Sequence, residues 1–295
     1  MPELPDVAVY VERTAAKVVG QTLRAVELRS VFVLRTAVPP VDALVGRTVA
    51  DVRRMGKRVV LRFDAQPSLY LVFHLMIAGR LQWLAPERKA PGHALAVLRF
   101  DDGALVMTEA GTRKRASLHV VEGEAALQAM DPRGLEPLQC SFEDFVHRIT
   151  AGNHTLKRAL TDPRTLSGIG NSYSDEILHR ARLSPLALTQ SLDRDGLKRL
   201  YDAMRDVLED WTRRLRDEAG DGFPQKVTAF REGMAVHGRY GQPCPVCGAP
   251  VQRIVYADNE TNYCARCQTG GRVLADRALS RLLKASFPRD IDDLG

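Results

Sequence analysis

The sequence lacks any apolar run that approaches the roughly 18 residues needed for a transmembrane helix, which argues against a membrane protein. No basic segment followed by an apolar one opens the chain, so we expect no secretory signal. Cysteine is scarce: there are five, and four of them form two close pairs near the C-terminus. That arrangement favours metal binding in a reducing compartment over disulfides, so we expect a cytoplasmic, intracellular protein. Internal repeats, low-complexity tracts and heptad runs are also missing.

The remaining composition is that of an ordinary globular protein. Hydrophobic residues make up 45% of the chain and charged residues 26%. A chain of 295 residues is long enough for two domains, each with its own core. It carries 42 Lys and Arg against 36 Asp and Glu, which gives a formal net charge of +6 and a pI of about 9.2. The sign of this excess favours a polyanionic partner.

The first residues can form an unusual reactive group. If the initiator Met1 is removed, Pro2 becomes the N-terminus as a secondary amine, followed directly by the carboxylate of Glu3. An α-amino group titrates near ~7.7–8.0, against ~10.4 for lysine, so it is unprotonated more often at neutral pH. A secondary amine that attacks an aldehyde or sugar carbon forms an iminium ion, and Glu3 could protonate a leaving or ring oxygen. The alternative interpretation is a stiff, exposed arm, which a Pro-x-x-Pro start also fits.

Hydrophobic spacing predicts one helix followed by a β-rich domain. Apolar residues recur at helical spacing over 5–19, and Gly20 follows as a stop signal. Short β-rich runs then alternate with Gly, Pro and Asp residues. The predicted strands are 23–28, 31–34, 49–52, 59–63, 69–75, 80–84, 95–100 and 104–108. Many short strands at close spacing indicate a sandwich or barrel, so we predict a helix packed on a β-sandwich, ending near Met130.

A second region has helical spacing. A Pro-containing link over 131–137 leads into it, and Ser141 with Asp144 forms a capping-box pattern that opens a helix. Further helices are predicted over 155–160, after Gly170 and over 193–218. With the β-rich first domain, this pattern predicts an α+β protein.

The two CxxC pairs are the most specific pattern in the sequence. Sixteen residues separate Cys247 from Cys264, which puts all four thiolates within reach of one tetrahedral Zn²⁺. Strand-like runs over 251–256 and 261–263 predict a β-hairpin held at its base by the metal. A site with four protein ligands has no open position, so the zinc would be structural. The lone Cys140 is predicted to be an inert, partly buried thiol. Four arginines surround the pairs in sequence and suit either a surface that faces phosphates or an ordinary solvated face: Arg239, Arg253, Arg266 and Arg272.

A glycine-rich turn separates two of the predicted helices. Gly168 and Gly170 allow a sharp turn and a close approach to a partner, and the amides that open the next helix can bind an anion. Asn171 could cap this helix and also donate to a phosphate. An ordinary helix connection is the alternative. Two further residues also have structural interpretations. Lys57, at a tight turn, could be an ordinary solvated lysine, and His74, after an apolar strand, could be a half-buried, hydrogen-bonded histidine.

Together, these motifs resemble the formamidopyrimidine-DNA glycosylase / endonuclease VIII family of base-excision repair enzymes over nearly the full length. The start Met-Pro-Glu-Leu-Pro-Asp is similar to the family's start, with Asp6 where Glu is usual. The other motifs that carry the resemblance are Gly56-Lys57, His74-Leu75 with Gly79-Arg80, His93, Leu156-Lys157, Gly168-Ile-Gly-Asn171, Glu176 and the four-cysteine hairpin.

The resemblance implies a domain organisation and a set of partners. An N-terminal catalytic β-sandwich domain with flanking helices is expected over 1–130, then a helix-two-turn-helix DNA-binding domain over 131–222. A C-terminal segment over 223–295 would carry the zinc finger, at 238–272. The implied partner is double-stranded DNA with a damaged base or abasic site, bound by a nucleoid-associated monomer. One structural zinc is implied, with the ligands Cys244, Cys247, Cys264 and Cys267.

The implied activity is that of a bifunctional DNA glycosylase and AP lyase. The damaged nucleotide is flipped out of the duplex, because its C1′ cannot be reached inside the stack. Pro2 attacks C1′ and expels the base, Glu3 protonates the deoxyribose ring oxygen, and the strand is cut by elimination. Lys57 clamps a flanking phosphate. The other DNA contacts implied by the resemblance are His74, His93, Lys157, Gly168, Gly170, Asn171 and Asn259.

Two features depart from the family's pattern. The family's hairpin has an arginine five residues before the third cysteine, where this chain has Asn259 between two acids, which should weaken phosphate binding. The family's Asp-Pro-Arg-Arg-Phe-Gly loop is replaced by residues 108–115, which contain Arg113, Lys114 and Arg115. Met76 or Ile77 could then wedge the duplex instead.

Two functions other than that of a glycosylase also fit parts of the sequence. Asn259 and the altered loop favour a DNA-binding protein of the same fold that recognises abasic or distorted sites without removing bases. A zinc-containing RNA-binding protein would fit the basicity and the finger alone. A cleavage assay on a panel of lesions separates the first from an enzyme, and competition between duplex DNA and structured RNA tests the second.

Overall fold

The computed structural model describes residues 1–110, 114–224, 231–256, 259–274 and 289–294. It confirms the predicted α+β class. The chain divides into two compact units, residues 1–132 with 210–228 and residues 133–209 with 229–295. The predicted division at 130 and 222 stays a prediction. It assigns residues 210–222 to the helical domain and 223–228 to the C-terminal segment, whereas both stretches belong to the first unit. No helix within the described ranges is long and apolar enough to cross a lipid bilayer.

The first unit contains helix α1 (Leu4–Val18) and two antiparallel four-stranded sheets. One sheet has the order β1-β6-β7-β5 and the other has the order β2-β3-β4-β8. The strands are β1 (Ala25–Leu28), β2 (Val49–Met55), β3 (Arg58–Phe63), β4 (Leu69–His74), β5 (Gly79–Leu84), β6 (Ala94–Phe100), β7 (Gly103–Glu109) and β8 (Ser117–Glu122). Apolar side chains from both sheets and from α1 form one continuous core, in which Tyr10, Phe63 and Phe73 are fully buried.

One predicted strand is wrong and one real strand was not predicted. Residues 31–34 form a turn, in which Val31 and Phe32 are 78% and 76% exposed. Their apolar character therefore does not reflect burial, and Leu34 makes only an isolated bridge to Leu118. Strand β8 was missed, as was helix α2 (Glu124–Ala129). Pairing with β4 over its whole length makes β8 a strand, and that long-range contact has no local sequence signal.

The second unit is mainly helical and also contains a β-hairpin. Its helices are α3 (Phe142–Thr150), α4 (Leu156–Thr161), α5 (Asn171–Ala181) and the part of α6 (Arg194–Ala219) that precedes residue 210. The predicted cap of α3 is confirmed, because the Ser141 hydroxyl accepts a hydrogen bond from the Asp144 amide. Strands β9 (Gln252–Tyr256) and β10 (Asn259–Tyr263) pair as the predicted hairpin, and α7 (Ala265–Thr269) follows.

The last part of α6 and the residues after it belong to the first unit. The ring of Phe223 packs on Tyr10 of α1, with 6.4 Å between centroids. Arg216 and Glu12 form an ion pair, at 2.7 Å between Nη2 and Oε1. These contacts fasten α1, which positions the amino terminus.

Candidate functional site

The amino terminus is held in place by the start of α1. Pro2 and Glu3 are buried, and the helix begins one residue later, at Leu4. The Asp6 carboxylate accepts a hydrogen bond of 3.0 Å from the Glu3 amide, and the Glu3 carboxylate accepts one in return from the Asp6 amide. This reciprocal cap satisfies two amides that a helix start otherwise leaves unpaired. The shorter acid at position 6 is therefore sufficient to close the cap.

Four charged side chains act electrostatically on the N-terminal amine. Burial lowers the pKa of the Met1 ammonium group below its ordinary value. Glu3 and Asp6 oppose that effect, whereas Lys57 and Arg80 add to it. The amine therefore lies in a partly dry environment within range of two acids and two bases, which is the kind of setting that activates an amine nucleophile.

Lys57 lies in a tight turn between β2 and β3. Gly56 adopts a φ of 61°, which a residue without a side chain tolerates most easily. Arg54 donates to the Gly56 carbonyl at 2.7 Å and so braces the turn. Burial lowers the pKa of Arg54 to about 10, and it also lowers the pKa of Arg58, while Asp131 opposes both shifts. Lys57 is therefore flanked in sequence by two partly buried arginines.

His74 ends β4, opposite Arg58 of the neighbouring strand β3. Burial lowers the pKa of His74, the nearby charges of Arg58, His119 and Lys57 lower it further, and together they bring it to about 4. At neutral pH the ring is therefore uncharged and can act as a hydrogen-bond donor, not as a cation. His93 is exposed in the turn that leads into β6, a strand of the other sheet.

A close turn follows His74. The Gly79 amide donates to the Leu75 carbonyl at 2.8 Å, and a Cβ at position 79 would lie only 2.2 Å from that carbonyl oxygen. Met76 has a φ of 52°, and Ile77 is 58% exposed at the tip of the turn. Of the two predicted wedge residues, Ile77 is the one that projects into solvent.

The loop that differs from the family's pattern is organised by a buried acid. Glu109 is 1% exposed, and its carboxylate accepts hydrogen bonds from the amides of Arg115 and Ala116, at 2.8 and 3.1 Å. The Lys114 ammonium donates to the Glu109 carbonyl. Arg113, the other predicted phosphate contact of this loop, lies outside the described residues. The part of the loop that is described is thus anchored at its C-terminal end.

In the second unit, the glycine-rich turn connects α4 to α5. Gly168 has a φ of 82°, and Gly170 is the N-cap of α5. Asn171 was predicted as a possible cap, but it is the first helical residue instead. Its side-chain amide donates to the Glu260 carbonyl of β10 at 2.7 Å. Lys157 donates to the Asn171 carbonyl at 2.7 Å and to the Asp175 carboxylate at 2.5 Å, so its charge is neutralised within the unit.

Two adjacent acids of α5 hold the segment that precedes the zinc module. Glu176 accepts hydrogen bonds of 2.7–2.9 Å from three successive amides, those of residues 235–237. Burial raises the pKa of Glu176, and the three amides oppose that shift. Asp175 is completely buried and contacts His237 at 2.7 Å and the Asn262 amide at 3.2 Å. Sequence reasoning noted Glu176 but missed Asp175, His237 and Asn262, because only the folded unit shows that these polar residues are buried.

The four paired cysteines converge. Their sulfur atoms all lie within 4.8 Å of one another, with Cys244 and Cys267 3.9 Å apart and Cys247 and Cys264 3.4 Å apart. A tetrahedral zinc with Zn–S bonds of about 2.3 Å requires S···S separations of about 3.8 Å, so this set fits the ion. The Cys267 amide also points at the Cys264 sulfur, at 3.4 Å. These residues form the site of one structural zinc ion.

The arginines around the zinc module have several internal partners. Arg239 donates to the Met234 and Pro243 carbonyls and to Gln242, so it is structural. Arg253 lies over the Tyr240 ring at 4.2 Å and pairs with Glu260. Asn259 begins β10 opposite Tyr256, and residues 257 and 258 beside it lie outside the described residues.

Three family profiles match this chain in order. The formamidopyrimidine-DNA glycosylase N-terminal domain matches residues 1–118, the H2TH domain of that glycosylase matches 133–216, and the zinc finger found in FPG and IleRS matches 241–270. The formamidopyrimidine-DNA glycosylase of Heliobacterium modesticaldum is 37% identical over 284 residues, which cover 91% of this chain and all of that protein. The chain belongs to the formamidopyrimidine-DNA glycosylase family. This confirms the resemblance and identifies the chain as a DNA glycosylase of base-excision repair.

Other members and solved structures agree with this assignment. An uncharacterized formamidopyrimidine-DNA glycosylase-like protein of Mycobacterium tuberculosis is 44% identical over 155 residues, covering 52% of this chain and 96% of that protein. The MutM (Fpg) protein of Thermus thermophilus superimposes with a TM-score of 0.75 at 32% identity, covering 90% of this chain and 98% of that one. Lactococcus lactis Fpg, solved with DNA containing an abasic site, has a TM-score of 0.79 at 22% identity, covering 90% and 99%, which supports the formamidopyrimidine-DNA glycosylase fold alone.

Proposed function

We propose that this chain removes damaged bases from double-stranded DNA and cuts the strand at the resulting abasic site, with Pro2 as the nucleophile. The observation that carries the proposal is the environment of the amino terminus, where burial lowers the pKa of the amine among Glu3, Asp6, Lys57 and Arg80. Removal of Met1 would leave the secondary amine of Pro2 in this setting. An amine with a lowered pKa is unprotonated, and therefore nucleophilic, in a larger fraction of molecules.

The proposed reaction needs no external oxidant or reductant. The Pro2 nitrogen forms a bond to C1′ as the bond from C1′ to the base breaks, and the base leaves with a proton. Glu3 protonates the ring oxygen, the sugar opens, and the nitrogen lone pair completes the iminium ion. Loss of a 2′ proton then expels the 3′ phosphate, and water hydrolyses the remaining iminium to release Pro2. Glu3 suits the acid's role because it is buried and held by its helix cap beside Pro2.

Lys57 is the proposed clamp for a phosphate that flanks the lesion. Its turn is braced by Arg54 of β2, and Arg58 follows Lys57 as the first residue of β3. Arg54 and Arg58 each donate to a backbone carbonyl, of Gly56 and of Met130, so both hold the backbone while Lys57 is the group proposed to meet the phosphate. His74, as a neutral ring, would donate to a neighbouring phosphate oxygen, and exposed His93 would make a further contact.

Ile77 is the proposed wedge that enters the duplex when the damaged nucleotide leaves the stack. It is an exposed apolar side chain at the tip of a turn that backbone contacts hold closely. Apolar wedges of this kind partially unstack a base step.

In the second unit, the start of α5 is the proposed site for further phosphates. The turn residues Gly168 and Gly170 bring amides to a helix N-terminus. The Asn171 amide group has two N–H bonds, of which one is directed at Glu260, leaving the other for a phosphate. Lys157 would act by holding the first turn of α5, because Asp175 neutralises its charge. Asn259 would contribute at most a neutral hydrogen bond.

Borohydride trapping on a duplex with one abasic site tests the nucleophile, using protein whose N-terminus has been checked by mass spectrometry. Reduction of the iminium would give a covalent protein–DNA adduct. We expect the Pro2→Gly variant to bind the duplex but to lose most of the adduct and most of the base removal. An unchanged rate of base removal would refute the assignment of Pro2.

The phosphate clamp is tested by the salt dependence of DNA binding. Lys57→Met should weaken binding and reduce the slope of log K against log salt by about 1, because one phosphate contact is lost. Lys89→Met is the matched control, since Lys89 is exposed in the same unit. Equal slopes for the two variants would contradict the role of Lys57.

A damage-binding protein without glycosylase activity is the second candidate, and Asn259 in place of the family's arginine favours it. If the protein lacks Met1 and binds the abasic duplex, but forms no adduct and removes no base from a panel of lesions, this second function replaces the first.

A further inference from the structure

Helix α5 carries a stripe of polar residues that faces the zinc module. Asn171, Asp175 and His179 are four residues apart, so they lie on one face of the helix. The first two contact β10, through the Glu260 carbonyl and the Asn262 amide. The third residue of the stripe, His179, contacts the zinc site itself.

His179 lies against a zinc ligand. Its Nε2 atom is 3.3 Å from the sulfur of Cys244. The two residues are only 6% and 2% exposed, so water does not compete for this contact. A thiolate accepts hydrogen bonds but cannot donate one, so a ring nitrogen in this position must carry the proton if the contact is a hydrogen bond.

A second contact ties the other cysteine pair to the end of the same helix. The Gln268 side chain accepts a hydrogen bond from the Cys264 amide at 2.8 Å and donates to the Leu183 carbonyl, just after α5, at 2.9 Å. The zinc site is therefore attached to α5 through His179 and to the residues just after α5 through Leu183.

We propose that His179 is an outer-sphere positioning residue of the zinc site, whose Nε2–H donates to the metal-bound thiolate of Cys244. Four thiolates around one Zn²⁺ carry a net negative charge, and a hydrogen-bond donor stabilises that charge in a buried site. The donor also fixes the direction of the Cys244 sulfur toward the metal. Zinc binding and the position of α5 are then linked through a side chain that is not itself a ligand. This inference does not depend on the proposed glycosylase mechanism.

The first test measures the zinc affinity of variants by competition with a chromogenic chelator. His179→Phe keeps the ring volume but removes the donor, and we expect the zinc Kd to rise about 10–100-fold, the usual effect of losing an outer-sphere partner. His179→Gln retains a donor N–H and should restore most of the affinity. His147→Phe is the control, because His147 is exposed on α3 of the same unit. An equal loss of zinc affinity in the Phe and Gln variants would attribute the effect to packing and would overturn the proposal. A zinc Kd of His179→Phe within about twofold of the wild-type value would also overturn it.

The second test uses the wild-type chain and needs no variant to fold. Long-range ¹⁵N–¹H correlation spectra of the zinc-loaded protein identify which ring nitrogen of His179 carries the proton. We expect the Nε2–H tautomer, with a scalar coupling from this proton to the metal after substitution with ¹¹³Cd. A ring protonated only at Nδ1 would overturn the proposal.

Discussion

His74 should make the first unit less stable in mild acid. Its pKa in the folded chain is about 4, because the ring is buried beside Arg58, His119 and Lys57. The ordinary value for an unfolded chain is about 6.5. Between these two values the unfolded state binds more protons than the folded state, so stability falls as the pH falls. The contribution of His74 is therefore fully present above about pH 6.5 and is lost progressively down to about pH 4.

The size of this effect follows from the shift in pKa. A change from 6.5 to about 4 corresponds to about 3 kcal/mol over the whole range, since one pKa unit is worth about 1.4 kcal/mol. Part of the range lies below pH 5, and the ring is partly exposed, so solvent screening reduces the value. We expect His74 to account for about 1 kcal/mol of lost stability between pH 7 and pH 5.

The assay compares the wild type with His74→Gln at both pH values by denaturant unfolding. Both tryptophans, Trp83 and Trp211, belong to the first unit, so tryptophan fluorescence, excited selectively, reports on that unit. The Gln variant should lose about 1 kcal/mol less than the wild type on acidification, whereas His93→Gln, at an exposed position, should behave like the wild type. Equal pH dependence in all three proteins, or an NMR titration of His74 with a midpoint above pH 6, would refute the reasoning.

Two further predictions concern stability. Glu176→Ala should cost about 3–5 kcal/mol, because three amides, two of them buried, lose their acceptor. Glu176→Gln keeps one acceptor oxygen and should cost about 1–3 kcal/mol. Thermal unfolding of the zinc-loaded chain measures both variants, and equal losses would contradict the proposed hydrogen bonding. Gly79→Ala should destabilise the first unit by about 3 kcal/mol, because the new Cβ would lie 2.2 Å from the Leu75 carbonyl oxygen. The control is Gly92→Ala, which should be nearly neutral because there is open space around position 92. Tryptophan fluorescence during denaturant unfolding distinguishes the two glycine variants, and similar midpoints would show that the turn after His74 relaxes freely.

Patterns close in sequence predicted much of the fold. The spacing of apolar residues located α1 and seven of the eight strands of the first unit to within a few residues. It failed at residues 31–34, because Val31 and Phe32 are apolar but exposed, and at β8, because only pairing with β4 shows that this run is a strand. Asn171 was expected as a possible cap, but Gly170 takes that position, which leaves the Asn171 side chain to contact β10.

The sequence by itself determined the chemistry that is available: an N-terminal Pro2 followed by an acid, a lysine in a tight turn, a glycine-rich turn before a helix, and four cysteines with zinc spacing. Those features are local, because each depends on residue types a few positions apart. Only the tertiary structure decided the environments of these groups. Burial and neighbouring charges lower the pKa of the N-terminal amine and of His74. Folding also places Asp175 beside Lys157, whose charge it neutralises, and His179 beside Cys244. The residues in these contacts are far apart in the chain. Electrostatic and hydrogen-bond energies depend on distance in space and on exclusion of water, and neither can be read from a linear sequence.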